Sequence, residues 1–337
     1  MINIYPKVNY IGNKSKVASW IIENLPIKTG KILDLFCGGS SVSYALKQNG
    51  FCVYANDILY SNFVLAKALI ENSHDRLSLD VYSVESFYNP QDFANLEWMV
   101  NLLYFQHEVK ELVCLVNYAK TLKEYDKFIF LSLLRRSMIR KIPYSRMTIK
   151  WEEIVKLRDE ELSYQKYKRR RAYHNQPFLT HIKKELNDYN FAVFDNNKKN
   201  KAFGADSLAL LQNFKKKGEM FDVIYIDPPY PSTMNNYVGF YGGFDKMLGK
   251  VLSNFTDFTH KDTFLQNMRK VVLYCKEISK FAALSLNNRC KPSVLDIKEY
   301  IKDLNLKVAI CETPHIYKVT GRDNKHIHSE VLMVIEF

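Results

Sequence analysis

The stretch Asp222-Val223-Ile224-Tyr225-Ile226-Asp227-Pro228-Pro229-Tyr230 decides the fold. Its run of β-branched and aromatic residues reads as a short buried strand. The strand stops at an Asp followed by two prolines. Prolines cannot donate to a ladder, and two in a row fix a rigid turn. In an open parallel sheet, ligands bind at the carboxyl ends of the strands. Asp227, Pro228, Pro229 and Tyr230 therefore set a carboxylate, stiff backbone carbonyls and an aromatic plane at one corner. Such parts can hold a flat base and accept hydrogens from an exocyclic amine.

Upstream, Lys31 to Phe36 form another buried strand. Cys37-Gly38-Gly39-Ser40-Ser41 follows, and a helix begins near Val42. Strand, glycine turn and helix make the first βα unit of a Rossmann-like sheet. The turn is neither the dinucleotide G-x-G-x-x-G nor a phosphate-binding loop ending in G-K-[ST]. A ligand with few phosphates, or none, fits it better; a purely structural turn is the alternative. Asp34, inside the strand, either orients the turn or meets a ligand ammonium. A further strand, Phe51 to Ala55, ends in Asn56-Asp57. An acid there, about 20 residues past the glycine turn, is placed to hold ribose hydroxyls. Asp57 could also cap a helix predicted over Leu59 to Ile70. Before all of these, Asn9-Tyr10-Ile11-Gly12-Asn13-Lys14 precedes a helix predicted over Val17 to Asn24. Gly12 allows close backbone approach and Lys14 brings a charge, although a surface turn would look the same.

From about Ser73 to about Asn200 the α/β rhythm breaks, so residues 1–72 and 201–337 read as one domain and 73–200 as an insertion. Lys127 to Arg140 predicts an amphipathic helix. Phe128, Leu131, Leu134 and Met138 lie on one side, with Arg135, Arg136 and Arg140 elsewhere. Tyr164 to His174 carries Lys168, Arg169, Arg170 and Arg171 among tyrosines. Basic groups neutralise phosphates and aromatics stack on bases; a solvated helix face is the alternative. This insertion is the candidate target-recognition region.

After it, a short strand near Ala202 leads to Asp206, which is either a cap or a site residue, and a helix over Ser207 to Phe214. Beyond the Asp227 corner, Pro231 to Phe244 reads as a mobile loop. Its Tyr237, Phe240 and Tyr241 either close over a base or simply pack. A helix over Thr263 to Lys276, a strand over Lys280 to Leu286 and a helix over Val294 to Leu304 follow. A terminal β-pair is predicted from Lys307 to Cys311 and Ser329 to Phe337. Its connection carries Lys318, Arg322, Lys325, His326 and His328, a second candidate for nucleic-acid contact.

The 337 residues carry 48 Lys and Arg against 36 Asp and Glu, a net charge of +12, which suggests an anionic partner. The six cysteines are scattered with no C-x-x-C pair, which argues against a zinc site or a disulfide scaffold. No metal ligand set is predicted. With no apolar leader and no segment apolar enough to span a bilayer, a cytoplasmic protein is expected.

Together, Tyr10-Ile11-Gly12-Asn13-Lys14, Asp34-Leu35-Phe36-Cys37-Gly38-Gly39, Asn56-Asp57 and Asp227-Pro228-Pro229-Tyr230 form an ordered set. The set resembles the Dam-like, alpha-group DNA adenine methyltransferases, in which a recognition insert separates the cofactor motifs from the catalytic one. The segments Tyr173-His174-Asn175 and Asp195-Asn196 are similar to the type II restriction-modification members. The resemblance implies an α/β fold, a Rossmann-like S-adenosylmethionine-dependent sheet with a mainly helical insertion. It implies S-adenosyl-L-methionine as methyl donor, contacted by Tyr10, Lys14, Asp57 and Asp227. The Asp34 to Gly39 turn, with Phe36 and Gly38, would wrap the methionine end; here Gly-Gly-Ser stands where Gly-x-Gly is commoner. It further implies duplex DNA as substrate, a flipped adenine and direct transfer to N6. Asp227 and the Pro228 carbonyl would accept the amine hydrogens, Pro229 would hold the turn rigid and Tyr230 would stack on the base. A cognate restriction endonuclease acting on the same site is the partner it suggests. Methylation of the cytosine N4 amine uses similar chemistry and is the near alternative. A non-catalytic DNA-binding protein is the alternative of a different class, and it would have no need of the cofactor motifs.

Overall fold

The computed structural model describes residues 3–79, 84–168, 174–231, 236–314 and 329–337. The chain divides into two compact units. Tyr10–Ile58, Asp195–Asn235 and Leu252–Phe337 form an α/β unit; Met1–Asn9, Leu59–Phe194 and Asn236–Val251 form a helical one.

The α/β unit is built on seven strands: β1 (Lys31–Asp34), β2 (Cys52–Asn56), β3 (Lys201–Phe203), β4 (Phe221–Ile226), β5 (Ser279–Asn287), β6 (Lys307–Pro314) and β7 (Ser329–Glu336). Their order in the sheet is β3-β2-β1-β4-β5-β7-β6. The first five are parallel, and β7 runs antiparallel between β5 and β6. Continuous apolar runs such as Val223 to Ile226 suit parallel strands covered on both faces. The covering helices on one side include Ser207–Lys216 and Lys261–Ile278, whose Leu211, Phe214, Phe264, Met268 and Val271 pack into one cluster with Leu33, Ile224, Leu284 and Ile335. Asp222 braces the far end of β4. It accepts from the Lys31 N–H at 2.8 Å and meets Lys280 at 2.7 Å.

The chain winds from β1 outward to β3, then returns to β4 on the other side of β1. That reversal opens a crevice beyond the carboxyl ends of β1 and β4. The strand predicted to Phe36 ends at Asp34, where the chain enters its turn. The terminal pair forms as expected, longer on its first strand, and its basic connection lies outside the described residues.

In the helical unit, Glu124–Lys141 is the central helix and packs against Phe178–Ala192 and Tyr60–Ala66. Acids in its first turn and bases in its last suit the helix dipole. It is not amphipathic: Ile129 through Ile139 are all buried. A helix apolar nearly all round belongs in the interior, and this one carries its arginines in with it. The Glu108 carboxylate braces the unit. It takes Arg158 through bonds of 2.9 and 2.6 Å and Lys141 at 2.6 Å.

Two expectations change here. The helix after β2 begins at Tyr60, and its first N–H groups, on Tyr60 and Ser61, each donate to Asp245 at 2.8 Å, not to Asp57. The stretch expected to be a mobile loop is instead the helix Tyr237–Met247, capped by Asn236. Its glycines serve close packing and not a turn: at Gly239 and Gly243 a Cβ would strike Asn236 and Met147. The helical unit gathers Met1–Asn9 and Asn236–Val251 with Leu59–Phe194, beside the 73–200 expected for the insertion. Asp245 ties that second stretch to the helix Tyr60–Ala66.

Candidate active site

Strand β1 delivers Asp34 to the crevice, buried. Its Oδ2 accepts from Ser43 Oγ at 2.6 Å, while Oδ1 is buried without a hydrogen-bond partner. Burial lifts the Asp34 carboxyl to about 7; the Ser43 hydrogen bond opposes that, and the Asp227 and Asp57 charges add to it. The Phe36 N–H also leans on this carboxylate and pulls it down, and a buried acceptor so weakly satisfied suits a cation or a donor.

The turn after Asp34 is pinned at several points. Leu35 donates to the Tyr225 carbonyl at 3.0 Å, and the Cys37 N–H to the Asn56 carbonyl at 2.8 Å. The Asn56 amide bridges the Leu35 carbonyl at 3.0 Å and the Ala205 carbonyl at 3.1 Å. Gly38 adopts φ +49°, and its N–H donates to Asp57 Oδ2 at 2.9 Å. A Cβ there would sit 2.7 Å from the Tyr10 ring, so only glycine admits that ring so close. Phe36 is half-buried and meets Phe258 edge-on at 5.1 Å. Tyr10, Asp34, Gly38 and Asp57 thus come together around one turn. Cys37 is buried and its thiol is raised far above the usual range, first by burial, which gives it no nucleophilic character.

One strand over, β4 ends at Ile226 and Asp227 begins the rigid corner. Pro228 is buried, and Tyr230 is buried within the cluster that contains Leu35, Ile226 and Phe258. Its ring is therefore braced from behind. Lys14 reaches this corner from the opening segment. Its buried ammonium lies 2.5 Å from Glu330 Oε1 and 3.5 Å from Asp227 Oδ1, and Ser285 Oγ also donates to that Glu330 oxygen. Burial is the main reason that the Asp227 carboxyl rises to about 7; Lys14 pulls against it and Glu330 adds to it. Neither Glu330 nor Ser285 was visible as a site residue in the sequence. The only signal was an acid beginning an otherwise apolar strand.

The residues expected to meet nucleic acid fare differently. Arg135 and Arg136 are 2% and 3% exposed, so neither is a surface phosphate contact. Arg135 stacks on the Tyr241 ring at 5.2 Å, and Arg136 pairs with Glu185 at 3.5 Å. Tyr241 is itself buried, and Phe240 lies near Arg146. Arg140, partly exposed, shares Glu185 at 3.1 Å. Lys168 is exposed at the end of the helix Glu160–Tyr167. Arg169, Arg170, Arg171, Lys318 and Arg322 lie outside the described residues. Among the described residues, no group of His, Cys, Asp or Glu could hold a metal ion, and no helix is long and apolar enough to cross a membrane.

Comparison with known proteins adds the missing chemistry. The sequence signature of the family described as D12 class N6 adenine-specific DNA methyltransferase matches residues 10–293. The chain is 43% identical over 336 residues to Type II methyltransferase M2.HphI of Haemophilus parahaemolyticus, covering 98% of each. It is 27% identical over 255 residues to Modification methylase StsI of Streptococcus sanguinis, covering 67% of this chain and 34% of that protein.

Proposed function

Since the chain belongs to the D12 class of N6 adenine-specific DNA methyltransferases, we propose that the Asp227 corner is where an adenine amine is methylated. The observation that carries this is the meeting of two halves at one edge of the sheet. A carboxylate corner closes β4, and a glycine turn with an orphaned acidic oxygen closes its neighbour β1.

The adenine amine is conjugated with its ring and is a poor nucleophile, and it lies inside the duplex. Flipping it out costs a few kcal/mol. The Asp227 carboxylate and the Pro228 carbonyl would then accept its two hydrogens, which draws the nitrogen lone pair out of conjugation. Tyr230 would offer its braced ring to the base, and Pro229 would keep the corner from yielding. Positioning and electrostatics supply the rate, with no covalent enzyme intermediate.

S-adenosyl-L-methionine, when bound, supplies a methyl group on a positively charged sulfur that such a lone pair can take directly. The residues present fit it: Asp34 Oδ1 lacks a partner of the kind that an ammonium group provides. Asp34, Phe36, Gly38 and Tyr10 would hold its amino-acid end, Asp57 its ribose, and Asp227, backed by Lys14, the edge from which the methyl is transferred.

Duplex DNA would be gripped by basic side chains, the exposed Lys168 and the partly exposed Arg140 among them, with Arg169, Arg170, Arg171, Lys318 and Arg322 as further candidates from the sequence. The likeness to a Type II methyltransferase and a modification methylase supports a place as the modification half of a restriction-modification system. A nuclease cutting the same unmodified site would be its partner in the cell, with both acting in the cytoplasm. A silent DNA-binding protein would leave Lys14 and Asp34 buried beside the half-buried Asp227 without a task.

The test is a transfer assay with donor labelled in its methyl group and unmethylated duplex DNA, digested to nucleosides. Label in 6-methyladenosine is expected. Label in methylcytosine alone, or none, would overturn the proposal. Asp227→Ala should abolish transfer and leave DNA binding measurable.

A further inference from the structure

Glu330 stands at the start of β7, fully buried, and none of the sequence motifs includes it. Strand register explains how it reaches the site. Ile226 of β4 pairs with Leu284 of the parallel β5, so the next residues along, Asp227 and Ser285, lie side by side. On the other flank, β7 pairs antiparallel with β5, with Leu332 opposite Ser285 and Glu330 opposite Asn287. Ser285 and Glu330 are therefore diagonal neighbours on one face. Three strands and the opening segment bring four side chains to one point: Asp227, Ser285, Glu330 and Lys14.

The order of charges at that point is informative. One ammonium stands between two carboxylates, 2.5 Å from Glu330 and 3.5 Å from Asp227. It is closest to the carboxylate that has no substrate to meet. A buried ion pair is weak evidence for stability, since apolar residues of the same volume usually serve as well. An acid buried behind Asp227 is better explained by the work done at Asp227.

We propose that Glu330 is a positioning residue for methyl transfer. It draws Lys14 to the back of the site, so that the ammonium steadies the Asp227 carboxylate without occupying the oxygen that accepts an amine hydrogen. The inference rests on Asp227 being the group that meets the amine. Without Glu330, the acidic group left beside Lys14 among the ion pairs of the described residues is Asp227, and the ammonium moves onto it. The substrate amine must then compete with an ammonium for the same lone pairs.

The same geometry fixes a pH signature. Among the described residues, the charged or titratable groups facing Asp227 are Lys14, Asp34 from β1, Tyr225 from β4 and Glu330 from β7; Cys290 faces Glu330. Burial holds the Asp227 carboxyl at about 7, with Lys14 opposing and Glu330 reinforcing. Removing the Glu330 charge and releasing Lys14 both act downward.

The experiment is Glu330→Gln, assayed for transfer to unmethylated genomic DNA from about pH 5.5 to about pH 9. Binding of S-adenosyl-L-methionine and DNA is measured alongside. The acid limb of kcat should move at least about one unit lower. The plateau should fall about tenfold or more, with KM for DNA and donor within about twofold. An unmoved limb with an unchanged plateau overturns the proposal, and so does a loss confined to KM. Ser285→Ala keeps every charge and removes the hydroxyl that holds Glu330. It should lower kcat about threefold at constant KM. If Glu330→Gln fails to fold, wild-type kcat in Ser285→Ala overturns the proposal by itself. Asp227→Asn separates the two claims. Transfer surviving in Asp227→Asn sinks the catalytic reading, and the inference with it. A silent Asp227→Asn beside wild-type profiles in Glu330→Gln and Ser285→Ala sinks the inference alone.

Discussion

Asp34 costs the folded chain free energy at neutral pH when nothing is bound. Its carboxyl rises to about 7, chiefly through burial, against a value near 3.8 when exposed. Between those values the folded state binds more protons than the unfolded one. Stability is therefore fullest at the acid end of the window and is lost as pH rises from about 4 to about 7. Without donor, the protein should melt lower at pH 8 than at pH 5 in a pH series of thermal scans. Asp34→Asn can still accept from Ser43, so it should flatten part of that slope and raise the melting temperature at pH 8 by the equivalent of a few kcal/mol. It should also weaken donor binding by calorimetry; a variant that binds as tightly as wild type would remove Asp34 from the donor site. Gly38→Ala should cost about 1–2 kcal/mol and most of the donor affinity, because it meets both a left-handed backbone and the Tyr10 ring. At this scale the sequence was informative where chemistry is local. Asp34, Gly38, Asp57 and the Asp227 corner each announce themselves within a few residues. Glu330 could not, because its partner Lys14 lies 316 residues away.

Elements were legible when their periodicity was, and their surroundings were not. Periodicity predicts the helix Glu124–Lys141 to within a few residues, yet it puts Arg135 and Arg136 on a solvent face. Nothing in a single helix reports that Phe178–Ala192 brings Glu185 to meet Arg136. The sequence does not predict the helix Tyr237–Met247, because glycine usually argues against a helix, and here it makes room for Asn236 and Met147. That helix carries Asp245, whose two oxygens each accept an N–H at the start of Tyr60–Ala66. Asp245→Ala leaves the buried Ser61 N–H and the half-buried Tyr60 N–H without their acceptor and should destabilise the protein by about 2 kcal/mol in urea unfolding. Asp245→Asn keeps one acceptor and should cost about half as much. Equal losses in the two variants would mean that the charge, and not the cap, matters.

Across the whole molecule, a net charge of +12 makes salt the sharpest probe of DNA binding. The logarithm of the affinity for duplex DNA should fall linearly with the logarithm of salt concentration. Changing Lys168, Arg169, Arg170 and Arg171 together to Ala should weaken binding about equally on every sequence, and reduce the slope by about one for each phosphate that is no longer neutralised. An unchanged slope would clear that run of any role at the DNA backbone. The fold class was readable because strand, turn and helix recur in order. The division into units was not, since the helical one gathers three separate stretches of chain. The strand order carries one more consequence, for how the chain is made. β7 is synthesised after the other six strands, yet it lies inside the sheet between β5 and β6. On the ribosome, β5 stays an open edge and β6 has no neighbour until Ser329–Glu336 emerges. Lys14 waits all that time for Glu330. A chain cut short before Ser329 therefore offers the bare edge of β5 to other chains.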